Sequence, residues 1–114
     1  MLSEDLLELV TQTLHRKSET QSLEIKTAKT DCPKRLYDTL SSFSNQDSGR
    51  IILFGLDKSK SFEVVGVYDL QSLQKKVTEQ CNQMEPPVRA VFTSAEIEGK
   101  FVCAVEIFAK DVSE

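Results

Sequence analysis

Apolar residues near the N-terminus recur at spacings of three and four residues, and the first are Leu6, Leu7, Val10 and Leu14. This spacing predicts an amphipathic helix over residues 4–16. Ser3 precedes the helix and is its predicted N-cap, because a serine hydroxyl accepts hydrogen bonds from the first free amides.

The same period returns twice further along the chain. Leu36, Leu40 and Phe43 follow Pro33, which suits the first turn of a helix, and predict a second helix over residues 33–46. A third helix is predicted after its N-cap at Asp69 and ends before Pro86-Pro87; its apolar positions are Leu70, Leu73, Val77 and Cys81.

Shorter segments have the patterns of strands. Residues 23–26 alternate apolar and polar, whereas residues 50–56 are almost continuously apolar, as in a strand covered on both faces. Residues 62–67 are expected to form a hairpin with residues 50–56. Two more strands, over residues 88–97 and 100–108, are joined by Glu98-Gly99 in a tight turn. The element order predicts an α+β domain over residues 1–114, a mixed sheet of about five strands packed with about three helices.

Composition is that of an ordinary globular domain, with 39% hydrophobic and 28% charged residues. No apolar run approaches the ~20 residues needed to cross a bilayer, and the acidic N-terminus does not resemble a signal peptide. We therefore expect a cytoplasmic protein. Its three cysteines form no CxxC pair, which argues against structural zinc or a disulfide framework. Cys103 is predicted in the core, Cys32 in a solvent-facing loop and the sole histidine, His15, on the surface.

Charge is unevenly distributed along the chain. The net charge is −4, yet residues 15–35 contain six basic and three acidic residues. A local basic segment can attract phosphate groups on an acidic molecule, because salt screens charges beyond about 8–10 Å. Motifs for nucleotide or zinc chemistry are missing from the sequence: it has no GxxxxGK[ST], GxGxxG or HExxH. No helicase or ATPase activity is expected of this chain.

Two groups of residues remain as candidates for chemistry. Glu19 and Glu24 flank the start of the first predicted strand, and Lys26 shares a strand face with Glu24. The carboxylates are suited either to a divalent metal or to a structural ion pair with the lysine, and the physics favours the ion pair. The second group is the polar turn after the second helix, where Asn45, Ser48 and Gly49 offer donors to a phosphate.

These groups share the order and spacing of a known family. The matching segments are Glu19, Leu23-Glu24-Ile25-Lys26, Ser42-Phe43-Ser44-Asn45, Gly49, Ile51-Ile52-Leu53-Phe54-Gly55-Leu56-Asp57 and Val65-Gly66. Together they resemble the AlbA-type Schlafen domain over about residues 15–108. The resemblance implies a nucleic-acid-binding module, with DNA as the expected partner, at the N-terminus of a longer RecG-related or divergent AAA transcriptional regulator.

The resemblance and the basic segment together suggest the residues that contact nucleic acid. They are Lys26, Lys29, Lys34, Arg35, Asn45, Ser48 and Gly49. This hypothesis requires neither a cofactor nor a membrane. Two alternatives stay open. One is a protein-interaction or dimerisation module, with a homo-oligomer as one form.

The other alternative is a ribonuclease that resembles the RNA-cleaving family members and uses Mg²⁺ or Mn²⁺. Its site residues would be Glu19, Glu24 and Asp57. The family pattern often has a second aspartate after the first, and Lys58 stands at that position here.

Overall fold

The computed structural model describes residues 1–19, 23–34, 36–44 and 50–109, with only the backbone for residues 37, 43, 44 and 109. Helix α1, Ser3–Arg16, confirms the first predicted helix. Its predicted N-cap is wrong, because Ser3 is already helical. The Asp5 carboxylate accepts a hydrogen bond from the Leu2 amide (2.9 Å), and the Ser3 hydroxyl donates to the carbonyl of Ser94 instead (2.9 Å).

A four-stranded mixed sheet forms the centre of the domain. Its strands are β1 (Leu23–Lys26), β2 (Arg50–Phe54), β5 (Val88–Ile97) and β6 (Lys100–Ala109), in the order β1-β2-β6-β5. β1 runs parallel to β2, with Ile25 opposite Leu53, and the other pairs are antiparallel. The predicted hairpin of β5 and β6 is confirmed, with Glu98 and Gly99 both at positive φ in its turn.

Helices cover both faces of this sheet. On one face, Leu6 and Val10 of α1 pack against a cluster that includes Ile25, Leu53 and Val102. The other face carries α2 (Tyr37–Ser44) and α3 (Leu70–Asn82), whose Leu40 and Leu73 pack in a second cluster. α3 begins at the predicted N-cap, because Asp69 accepts from the Ser72 amide (3.0 Å). Within the described ranges, no helix is long and apolar enough to span a membrane.

Helix α2 begins four residues later than predicted. Pro33 and Leu36 lie in a non-helical segment, and the first bond of the helix runs from the Leu40 amide to the Leu36 carbonyl (2.8 Å). A helix that began at Pro33 would need the Leu36 amide for its first hydrogen bond, and here this amide donates to the Gln80 side chain of α3 instead. Residues 45–49, the predicted turn, lie outside the described residues.

The apolar run over residues 50–56 is not one strand. It breaks at Gly55 (φ +118°), after which β3 (Leu56–Asp57) pairs with β4 (Glu63–Val64) in a separate two-stranded sheet. The predicted strand over residues 62–67 is therefore shortened to β4, and the polar turn between them contains a 3₁₀ helix, η1 (Lys58–Lys60). The α+β class and the three helices are confirmed. The strands divide into sheets of four and two.

Candidate nucleic-acid interface

The residues at the edge strand β1 alternate between the core and the protein surface. Leu23 and Ile25 are buried toward α1, whereas Glu24 and Lys26 are half-buried on the opposite face. That alternation follows from the two-residue period of a strand. Lys26 Nζ lies 3.5 Å from Glu24 Oε1, which confirms the ion pair favoured from the sequence.

Glu19 and Glu24 come together around a lysine that sequence reasoning assigned no role in binding. Lys58 Nζ is 2.9 Å from Glu19 Oε1 and 3.9 Å from Glu24 Oε1. Glu19 Oε1 also accepts the Ile25 amide (2.9 Å), which holds its carboxylate beside β1. The Lys58 ammonium group therefore lies between the two carboxylates. Lys26, Glu24, Lys58 and Glu19 form a row of ion pairs whose formal charges sum to zero.

Asp57, the third carboxylate of the ribonuclease hypothesis, is engaged in local hydrogen bonds. Its Oδ1 accepts from the Ser59 amide (2.9 Å) and the Ser59 hydroxyl (2.6 Å). The hydroxyl bond is the main reason that the pKa of Asp57 lies below its ordinary value, and Lys60 and Lys29 contribute through their charge. Over the described residues, no three histidine, cysteine or acidic side chains are grouped so that they could hold a metal ion.

The end of β1 and the β3–η1 connection border a cleft of about 320 Å³. It is lined by Ile25, Lys26, Thr27, Leu56, Asp57, Lys58 and Ser59. Lys26 and Lys58 line this cleft, and the charges of Lys60 and Lys29 help to lower the pKa of Asp57. Of the predicted set, the structure places Lys26 at this cleft. It adds Lys58, which sequence reasoning noted only as a departure from the family pattern; the signal available was the Lys-Ser-Lys directly after a strand.

The loop that follows β1, described over residues 27–34 and at residue 36, is held in place by buried side chains at every fourth position. Ala28, Cys32 and Leu36 are 1%, 5% and 0% exposed and belong to the same core cluster. Ala28 also accepts the Tyr68 amide at its carbonyl (2.8 Å). Lys29 and Lys34 lie between these anchors and are exposed. Arg35, Asn45, Ser48 and Gly49 of the predicted set lie outside the described residues.

The prediction of a solvent-facing Cys32 is wrong. The polar segment around Cys32 predicted an exposed loop thiol, but the side chain packs into the core and its thiol contacts the carbonyl of Pro33 (3.4 Å). Burial, together with the Asp31 carboxylate, raises the pKa of this thiol. Cys103 is fully buried, as predicted, and His15 is exposed.

The four-stranded mixed sheet, the two-stranded sheet and the three helices make this a small α+β domain. The family model described as Schlafen, AlbA_2 matches residues 19–113, and the chain belongs to this family. The N-terminal domain of a RecG-related protein from Nitrosomonas europaea, solved in solution by NMR, superposes with a TM-score of 0.75. The two are 24% identical, and the match covers 94% of this chain and 74% of that one. No curated protein matches the chain.

Proposed function

We propose that this domain binds nucleic acid, with DNA as the expected class, through contacts to backbone phosphates. The observation that carries the proposal is the loop after β1, which is anchored by the buried Ala28, Cys32 and Leu36. Lys29 and Lys34 of this loop and Lys60 of η1 are exposed, and no ion pair involves them among the described residues. Lys26 and Lys58, by contrast, are neutralised by Glu24 and Glu19.

An anchored loop favours such binding for an energetic reason. Cations on a mobile loop lose conformational entropy when they are immobilised on a ligand, and that loss subtracts from the affinity. Here Ala28 and Cys32 are buried, so the backbone that carries Lys29 and Lys34 is already ordered. The net charge of −4 lowers the affinity for nucleic acid, because the phosphates are negatively charged as well. We therefore expect modest affinity with a steep dependence on salt.

Fluorescence anisotropy with labelled duplex DNA, single-stranded DNA and hairpin RNA tests the proposal over roughly 50 to 200 mM salt. Each phosphate contact on duplex DNA contributes about 0.9 to the slope of log affinity against log salt. The double variant Lys29→Ala/Lys34→Ala should therefore lower the magnitude of the slope by about 1.8 and the affinity at 0.1 M salt roughly 60-fold.

Lys75→Ala is the matched control. Lys75 is an exposed lysine of α3, and it is directed away from Lys76 and Gln80 by the helical period. Lys75→Ala removes one of the two positive charges that the double variant removes, and it should leave the affinity close to that of the unmodified protein. The proposal fails if the double variant binds as tightly as the unmodified domain, or if the control loses as much affinity.

The protein-interaction module is a second candidate function, favoured by the open side of the edge strand β5. This strand has ten residues, and among the described residues only β6 pairs with it. Val91 of β5 is 39% exposed, and Leu2 is 69% exposed. An unpaired strand edge is a template for pairing with another chain. Sedimentation velocity over a concentration series tests this function, and a strict monomer would weigh against dimerisation.

The ribonuclease alternative stays a hypothesis, and Lys58 weighs against it, because its ammonium group lies between Glu19 and Glu24. Incubation of structured RNA with Mn²⁺ tests it. Cleavage that is lost in Glu24→Ala would support a nuclease, and intact RNA would exclude Mn²⁺-dependent cleavage of that substrate.

A further inference from the structure

The side chain of Gln80 on α3 bonds to two backbone groups of the basic loop. Its Oε1 accepts the Leu36 amide (3.0 Å), and its Nε2 donates to the Pro33 carbonyl (2.9 Å). In a hydrogen-bonded four-residue turn, the first carbonyl and the fourth amide would bond to each other. Here both backbone groups form hydrogen bonds with the carboxamide of Gln80 instead. The two residues between them in sequence, Lys34 and Arg35, are both basic.

The same face of α3 holds the loop at an earlier point. Lys76 precedes Gln80 by four residues and therefore lies on the same side of the helix. Its Nζ is 2.7 Å from Oδ1 of Asp31. Between these two contacts, the buried Cys32 places its sulfur 3.8 Å from Nε2 of Gln80. Hence α3 contacts the loop at three successive sites, Asp31, Cys32–Pro33 and Leu36.

A second cleft, of about 260 Å³, lies between the loop and α3 and is lined by residues that make these contacts, among them Asp31, Lys76 and Gln80. Lys34 lies at this cleft with its side chain exposed, and its charge helps to lower the pKa of Asp31, after the larger effect of the Lys76 hydrogen bond. Of the contacts that hold the loop here, the two bonds of Gln80 are made to the residue before Lys34 and to the second residue after it. They hold the backbone on both sides of the lysine.

We propose that Gln80 is a positioning residue of the nucleic-acid interface: its carboxamide holds the Pro33 carbonyl and the Leu36 amide so that Lys34 is ordered before a phosphate arrives. This inference rests on the proposed function and deepens it. Gln80 itself touches no phosphate in this scheme. Loss of its two hydrogen bonds frees the backbone around Lys34, and the ordering then has to occur during binding, which weakens it.

The test compares Gln80→Met with Gln83→Met. Methionine is close to glutamine in length, so the first variant preserves the aliphatic packing and removes the two backbone hydrogen bonds together with the weaker contact to the Cys32 sulfur. Gln83 lines the same cleft, and within the described residues its side chain makes no hydrogen bond to the loop. Affinity and salt slope are measured by anisotropy with the nucleic acid that binds best. Hydrogen exchange of the Leu36 amide is measured by NMR.

We expect Gln80→Met to lose up to about eightfold in affinity at 0.1 M salt, which is the loss expected for one phosphate contact on a duplex, with a slope smaller by up to about 0.9. The Leu36 amide should exchange faster, because it loses its acceptor. Gln83→Met should change neither quantity. Gln80→Ala serves as a second variant if the methionine is accommodated poorly.

Lys34→Ala separates failure of this inference from failure of the proposed function. If Lys34→Ala weakens binding but Gln80→Met does not, the positioning role is wrong and the interface stands. Weaker binding by Gln80→Met with unchanged Leu36 exchange would also overturn the positioning role. If Lys34→Ala leaves the affinity unchanged, Lys34 is not a phosphate contact and the role of Gln80 is wrong, whereas the proposed function is then decided by the Lys29→Ala/Lys34→Ala double variant.

Discussion

Replacement of Gly55 by alanine should destabilise the domain strongly, because this glycine joins the two sheets under two separate constraints. Its φ of +118° lies outside the regions that residues with a Cβ readily adopt. A Cβ built there would also lie 2.9 Å from Cγ1 of Val102 and 3.3 Å from the carbonyl oxygen of Phe101. Both neighbours belong to β6, whose backbone is fixed by β2 and β5.

The two constraints give an expected magnitude. Backbone strain of this type costs about 1–3 kcal/mol, and overpacking against a fixed neighbour costs about 1–3 kcal/mol more. The free energy of unfolding should therefore fall by about 2–6 kcal/mol. For a domain of this size, 1 kcal/mol corresponds to roughly 4 °C, so Tm should fall by roughly 8–24 °C. Thermal unfolding followed by far-UV circular dichroism measures this change.

Gly99→Ala is the control for the contact with β6. Gly99 also has positive φ (+78°), but no other atom lies within 4 Å of a Cβ built on it. It should show the conformational cost alone, about 1–2 kcal/mol. Equal losses of Tm in the two variants would refute the reasoning, because they would show that β6 yields to the added methyl group at Gly55.

Two further predictions concern titratable groups. Burial raises the pKa of Cys81 to about 11 and that of Cys103 to about 12, and it also raises the pKa of Cys32. All three thiols should therefore react slowly with a disulfide reagent at neutral pH and rapidly after denaturation. One thiol that reacts in the native protein at the rate of free cysteine would contradict this prediction. The pKa of Asp31 in the folded protein is lowered from 3.8, first by its hydrogen bond with Lys76. The stability that the Asp31 carboxylate adds is therefore present above the pKa of the unfolded state, and it is lost as pH falls through the lower pKa of the folded state. Asp31→Asn should therefore lower Tm slightly at neutral pH, and the difference from the unmodified protein should shrink in acid; a difference that is constant with pH would show that the charge plays no part.

The sequence alone was sufficient for most elements of the fold. The apolar spacing of α1 and α3, the alternation of β1 and the Glu98-Gly99 turn are local signals, because each depends on residues that are neighbours along one helix or strand. The ion pair of Glu24 and Lys26 was also predictable, since two residues on one strand share a face. The resemblance to the AlbA-type Schlafen domain then predicted the family of the chain, and the family model confirms it.

Other features depended on contacts between distant parts of the chain, and local pattern could not indicate them. Helix α2 begins after Leu36 because Gln80 of α3 binds the preceding backbone, and Cys32 is buried because the loop packs on the same helix. Lys58 lies between Glu19 and Glu24 because the turn at Gly55 directs β3 and η1 to the edge of β1. The physical reason is that a helical or strand period specifies which residues share a face. Only the packing of those faces decides which charges and backbone groups meet.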